Sequence, residues 1–485
     1  MRSLGNAIVI GIGSLAGLAG CSAAPGGEAT ETRSEELQAA PAAATCGTRF
    51  VSHAGDASTA NDCRAASKPC AAIQQAVDAA CPNDTVLVGR GTFVENVVID
   101  KALTVVGSGD ATVVVPAVSN PNPCTDSSLC GGAASNVVLV RAANVTLERL
   151  AVDGDNPALT SGTTVGSADV DARNGVITDD ATPIDGLTVR DVTVRNVFLR
   201  GIDATSGGTF RIEGSRVDNL SADPQAIGIF NTGGAGTIAG NVVTGAPAGI
   251  ASNFSRGVRF EGNRVTGCGA GIHTDNAGGD AGSTADVVED NVVSACTEGG
   301  FGVFVFIPSL GVTVRGNRVS GCTVGMADFG EGAAVQTRFV GNRIDARGVP
   351  EATGLYVTAS QLGFGSNDVD VLVTRNAIDG AAVGILLEEE TGFTVTADIE
   401  CNALSGDAEG IVTQSAAATI ERNAIVGGDP GLDASSLTGA LDAPHNWWGC
   451  AGGPGSPGCS TVTPNVGATP VSALPPLCTP LLAAR

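Results

Sequence analysis

The sequence predicts an all-β solenoid, one elongated domain of many short strands stacked rung upon rung. Three observations carry this. An asparagine recurs at Asn241, Asn263, Asn291, Asn317, Asn342, Asn376, Asn402 and Asn423, at spacings of 22, 28, 26, 25, 34, 26 and 21 residues. Apolar and polar residues alternate on either side of each asparagine, the period of a strand with one buried face. Between consecutive asparagines a glycine is followed by an apolar residue, as in Gly249-Ile250, Gly271-Ile272, Gly302-Val303, Gly325-Met326, Gly354-Leu355, Gly384-Ile385 and Gly410-Ile411.

Each element of the repeat has its own reason. Three residues before the asparagine stands Ile238, Phe260, Val288, Val314, Phe339, Val373, Ile399 or Ile420, the inward residue of a first strand. Two residues after it stands Val243, Val265, Val293, Val319, Ile344, Ile378, Leu404 or Ile425, the inward residue of a second strand beyond a bend. The glycine–apolar pair opens a third strand. Three short strands cannot bury a core alone, but stacked ~4.8 Å apart they share a continuous one. The asparagines themselves read as structural, because asparagine tolerates the left-handed region and hydrogen-bonds to neighbours up a stack.

The repeat resembles the right-handed parallel β-helix of the pectin-lyase-like superfamily, over roughly residues 47–450. The resemblance implies three sheets, an asparagine ladder between the second and third, and substrates lying along the outer face of the first. That first sheet corresponds here to the glycine–apolar strands. The amino end is consistent: in residues 71–80, Ile73, Ala76, Val77 and Ala80 fall at helical spacing. Strands are expected next at 85–88, 97–99 and 103–106, so the helix would cap the open core. At the other end, His445-Asn446-Trp447-Trp448-Gly449 with Gly453-Pro454 is similar to a segment that closes some bacterial β-helix repeats. It is expected to act as a terminal plug.

The first residues read as an address. Residues 7–19 form an apolar stretch too short for an ordinary transmembrane helix, ending in Leu18-Ala19-Gly20-Cys21. This resembles the bacterial lipobox, which implies lipidation at Cys21. The expected organisation is a lipoprotein signal peptide (1–20), a lipid anchor and flexible linker (21–45), the solenoid (46–450), and a C-terminal cap and tail (451–485). The expected location is the cell envelope, at the outer membrane or cell surface in a Gram-negative host, with the chain monomeric and its membrane contact made through the lipid.

Composition narrows the partners. The formal net charge is −24, and the only lysines are Lys68 and Lys101. No basic stripe can neutralise a phosphate backbone, so nucleic acid is excluded as a partner. A bare polyanionic glycan is disfavoured unless a cation mediates.

Fourteen cysteines in an exported chain point to disulfides. Cys70 and Cys81 flank the helix, about 16 Å apart if helical between, too far to pair with each other. The expected pairs are Cys63–Cys70 and Cys46–Cys81, with Cys124–Cys130 and Cys450–Cys459 as local loop clips. Cys268, Cys296 and Cys322 each follow a ladder asparagine by five residues. They stack as a buried thiol column or hold one bridge within it. The pairing of Cys401 and Cys478 is left open, and zinc is not supported by any ligand set.

Chemistry is expected on the outward positions of the glycine–apolar strands. One outward column reads Asp203, Phe230, Ala251, His273, Phe304, Ala327, Tyr356, Leu386 and Val412. The second reads Thr205, Thr232, Asn253, Asp275, Phe306, Phe329, Thr358, Glu388 and Gln414. The expected carbohydrate contacts are Phe230, Asn253, Phe304, Phe306, Phe329, Tyr356 and Glu388, because aromatic faces suit sugar rings. Alternatively, long loops cover this face and the aromatics pack beneath them. His273 and Asp275, two apart on one strand, form the catalytic candidate, with the carboxyl orienting or charging the imidazole.

No metal or cofactor is required, although the acids of loop 275–286 leave calcium open, without EF-hand spacing. Asp203 and Asp275 stand three rungs apart, about 14 Å, too far for a two-carboxylate hydrolase pair. Two function classes follow: non-catalytic carbohydrate binding in a surface groove, the favoured reading, and a polysaccharide lyase, glycoside hydrolase or epimerase acting in the same groove.

Overall fold

The computed structural model describes residues 46–205, 207–220, 222–276, 283–330, 335–360, 368–469 and 471. The expected signal peptide, the lipidation site Cys21, the linker to residue 45, Cys478 and the middle of loop 275–286 lie outside these residues. Three parallel sheets of 14, 13 and 13 strands run between Thr48 and Asp433. One turn shows the plan. The strand Val258–Glu261 lies in the 14-stranded sheet, Arg264–Thr266 in one 13-stranded sheet, and Ala270–Asp275 in the other, that of the glycine–apolar strands and here termed the groove sheet. The chain then returns to the 14-stranded sheet at Val287–Glu289, with Phe260 paired to Val288.

Every apolar position of the repeat points inward. Phe260, Val265 and Ile272 are buried, as are their counterparts Val288, Val293 and Val303 one rung on. They stack in register along each sheet, giving one core that no single rung could make.

The asparagines form a hydrogen-bonded ladder. Asn317 donates from Nδ2 to the Oδ1 of Asn342 at 3.0 Å and to the Val288 carbonyl at 2.8 Å, and accepts from the backbone and side-chain N–H groups of Asn291. The series runs from Asn241 to Asn446, so the closing segment supplies a ninth rung. One expectation is corrected: the ladder asparagines are not the left-handed residues. The residue before each takes positive φ, as at Gly262, Asp290, Gly316, Arg375 and Cys401. The asparagine carboxamide needs a fixed rung-to-rung direction, and the bend is taken up one residue earlier.

The glycines of the groove sheet serve close approach. A Cβ at Gly302 would lie 2.3 Å from the Gly325 carbonyl oxygen and 2.4 Å from Cγ1 of Val319. The same column continues below the expected repeats at Gly175, Gly201 and Gly228.

The ends are closed as the amino-acid patterns imply. Helix α1 (Ile73–Ala79) buries Ile73, Ala76 and Val77 against the first rungs. Its first N–H groups, which no helical carbonyl can reach, donate from Ile73 and Gln74 to the Glu95 carboxylate at 2.7 and 2.8 Å. At the far end Trp448 is buried while Trp447 bridges to the ladder strand, its backbone N–H donating to the Asn423 carbonyl.

The disulfides Cys46–Cys81, Cys63–Cys70, Cys124–Cys130 and Cys450–Cys459 are formed. In the thiol column Cys296 pairs with Cys322, leaving Cys268 as a buried thiol. Cys401 is also disulfide-bonded.

Candidate functional site

The two outward columns form as read from the sequence. Ala251, His273, Phe304, Ala327, Tyr356 and Leu386 are in register on successive strands of the groove sheet. So are Asp275 with Phe306 and Thr358 with Glu388. This face is covered rather than open. Phe304, Phe306, Phe329, Tyr356 and Leu386 pack as a second apolar cluster separate from the main core. Phe329 makes edge contacts with Phe301, Phe304 and Tyr356 at centroid distances of 5.7, 5.9 and 5.9 Å. The expected exposed aromatic platform is therefore corrected: these rings satisfy one another, the outcome expected of apolar surface that would otherwise be wet. Phe230 is buried too, and carries the Arg200 guanidinium 4.8 Å over its ring.

His273 stacks on Phe304 at 4.4 Å, nearly parallel, and meets Phe306 edge-on at 6.0 Å. Its Nε2 lies 3.7 Å from Oδ2 of Asp275 and has no hydrogen-bond partner. Burial pushes the imidazole down to about 4, so it is neutral at pH 7. Burial pushes the Asp275 carboxyl well up, against the opposing hydrogen bond that Oδ1 accepts from the Phe254 backbone N–H. The pair is thus an uncharged imidazole beside a carboxyl whose protonated form burial favours. Asn253, one rung below Asp275, is buried with its Oδ1 unpaired.

Behind the pair lies a polar knot that sequence reading missed. Asp286 accepts from Ser255 Oγ at 2.7 Å, the Val258 backbone N–H at 2.7 Å, Asn276 Nδ2 at 3.2 Å and the Thr274 hydroxyl. Desolvation pushes it up to about 6 against those bonds. Its signal was faint, because the inward position of Thr274 is polar at several rungs, Ser252 and Asp328 among them, so Thr274 does not stand out. Asp286 belongs to the candidate calcium loop, but its oxygens are directed into this network. Among the described residues the one cluster of three metal-ligating groups is Cys46, Cys81 and Asp84, whose sulfurs are joined in a disulfide.

The other candidates do not join His273. Tyr356 donates to Glu388, and burial and that carboxylate push the phenol well up, so it keeps its proton. Tyr356 stands three strands from His273, about 14 Å at the strand spacing. Glu388 and its neighbours Glu389 and Glu390 lie at the edge, where Glu389 accepts from the Val395 backbone N–H. Asp203 is buried beside Arg200, Oδ2 to Nε 3.8 Å, and desolvation pushes it up to about 7.

Three continuous parallel sheets, a ladder between two of them and glycine packing along the third decide the architecture, and residues 174–344 match the family model for a right handed beta helix region. The fold is a right-handed parallel β-helix. Solved structures similar to this β-helix include the A-module of the mannuronan C-5 epimerase AlgE6 of Azotobacter vinelandii, at 18% identity and a TM-score of 0.52, covering 72% of this chain and 93% of that one. Another is the catalytic domain of a GH87 alpha-1,3-glucanase variant in complex with tetrasaccharides, at 16% identity and a TM-score of 0.52, covering 79% of this chain and 69% of that one. At these identities the likeness is one of fold. No curated protein sequence matches the β-helix chain.

Proposed function

We propose that this protein is a polysaccharide-active enzyme whose proton-transfer centre is His273 with Asp275. The observation that carries the reading is the buried His273 Nε2, unpaired and 3.7 Å from the Asp275 carboxyl. Buried polar atoms are nearly always hydrogen-bonded, so an unpaired one calls for a partner. A neutral imidazole can take a proton, and a carboxyl whose pKa is raised by burial can give one. One acid–base pair suits elimination or epimerisation better than hydrolysis by two carboxylates, since Asp286, the carboxyl near enough to raise Asp275, is engaged by four donors in the polar knot.

The solved β-helix structures named for an epimerase and a glucanase are consistent with this reading. Non-catalytic binding was the favoured expectation from sequence. It loses support because its aromatic platform is packed away; Asn253 and Glu388 are retained as proposed sugar contacts. His273 is itself only 5% exposed, so turnover uses a state in which this face is uncovered.

The test is to incubate the chain with a panel of polyuronates and neutral polysaccharides, with and without calcium. Unsaturated ends or changed uronate configuration, lost in His273→Ala, are expected. Glycan binding with no turnover would overturn the enzyme reading, and reducing ends without unsaturation would replace elimination by hydrolysis. Lipid anchoring is proposed on the Leu18-Ala19-Gly20-Cys21 tetrapeptide. Cys21→Ser is expected to move the protein out of the membrane fraction, and unchanged partitioning would refute the anchor.

A further inference from the structure

We propose that Phe254 is the sugar-stacking residue of this site, seating one pyranose ring at the rim of the His273–Asp275 pair. The proposal rests on the reading above and deepens it by placing the substrate. Among the described phenylalanine, tyrosine and tryptophan residues Phe254 is the one left exposed, at 50%. The others are buried or half-buried, several of them against one another.

Its backbone makes the exposure more telling. Phe254 has φ +52°, in the left-handed region that glycine or asparagine occupies readily and a bulky side chain does not. A glycine here would remove both the backbone cost and the wet ring. The position is nonetheless a phenylalanine, and its N–H is the group that donates to Oδ1 of Asp275. The backbone that carries the ring is therefore tied to the candidate acid through one hydrogen bond. The preceding residue, Asn253, holds its unpaired Oδ1 beneath the surface.

A pyranose has an apolar C–H face and a rim of hydroxyls. The C–H face fits an exposed aromatic ring, as apolar surface does generally. The rim hydroxyls are donors, and Asn253 Oδ1, on the residue before Phe254, is an unpaired buried acceptor that can receive one. The chain thus supplies a flat apolar surface on the residue that follows an unpaired polar atom and whose N–H binds the candidate acid.

Phe254→Gly tests this without threatening the fold, because glycine accepts the positive φ and preserves the N–H to Asp275. Its thermal midpoint should be unchanged or raised. Affinity electrophoresis and turnover are measured against a polyuronate and a neutral glucan. Phe254→Gly should weaken binding or raise KM roughly tenfold, the loss of about one aromatic contact, with kcat little changed. Phe254→Trp should retain the wild-type value. The polymer that shows the loss identifies the ring as uronate or neutral hexose.

If the wild-type chain binds or turns over a glycan and Phe254→Gly is unchanged, the stacking proposal is overturned while the His273 reading stands. If Phe254→Gly loses binding but His273→Ala has no effect on products, the stacking role stands and the catalytic one falls. Should the wild-type protein bind neither polymer, both are refuted.

Discussion

At the scale of single residues, glycine has two separate uses in this chain. Gly240 sits at φ +63° with nothing within 4 Å of where a Cβ would stand, so its reason is conformational. Gly302 is the opposite case: its Cβ would meet the Gly325 carbonyl and the Val319 methyl at 2.3 and 2.4 Å. Neither neighbour can give way cheaply, since one belongs to the next strand and the other to the core. Gly302→Ala should therefore destabilise by about 1–3 kcal/mol, the usual cost of overpacking. Urea denaturation would show it as a lower midpoint, and an unchanged midpoint would mean that adjacent rungs can spread. The sequence repeat exposes both kinds of glycine as recurrent letters. It does not separate them, because the distinction lies in what the missing Cβ would touch.

Among the elements, those specified by period were legible and those specified by loop cover were not. The inward residues of each strand, the ladder asparagines and the register of the outward columns follow from a spacing that every rung repeats. A register slip by one residue would turn the whole apolar set outward, so the repeat constrains it strongly. The state of the outward columns has no such constraint. Phe304, Phe306 and Phe329 point away from the main core as expected, yet they build a second apolar cluster. Alternation marks the direction of a side chain and carries no information on what lies over it. Phe254 was missed for a related reason. It falls just past the last strand residue, Asn253, where the two-residue period has ended. The polar knot around Asp286 takes in Thr274, at an inward position that is polar at Ser252 and Asp328 and apolar at Val305 and Val357. Polar departures of this kind run along the column, at Asn231, Ser252, Asp328 and Thr413 as well, so a repeat-based reading does not single out the candidate site.

At the scale of the whole molecule, the same burial that shapes the site sets the response to pH. Desolvation pushes Asp203, Asp328 and Asp407 up to about 7 and Asp286 up to about 6, from an ordinary 3.8. Opposing contacts are too weak to reverse this: Arg200 faces Asp203, the Gly330 N–H faces Asp328, and the Ala381 N–H faces Asp407. Between pH 4 and 7 the folded chain holds protons that the unfolded chain has released. These carboxyls therefore contribute stability that is fully present below about pH 4 and lost as pH rises through 6 to 7. His273 acts in the opposite sense: it is near 4 when folded and 6.5 otherwise. Below pH 6.5 the unfolded imidazole takes up a proton that the folded one refuses, so its contribution falls as pH falls toward 4. Four carboxyls outweigh one imidazole, and the raised Asp275 adds to their side. The thermal midpoint should rise by on the order of a few degrees from pH 8 to pH 5. Asp328→Asn should flatten part of that slope, because its amide cannot titrate where the carboxyl is buried between Val305 and Val357. A midpoint that is constant, or higher at pH 8, would show that these carboxyls are ionised in the fold and that the charges of the outer faces dominate instead.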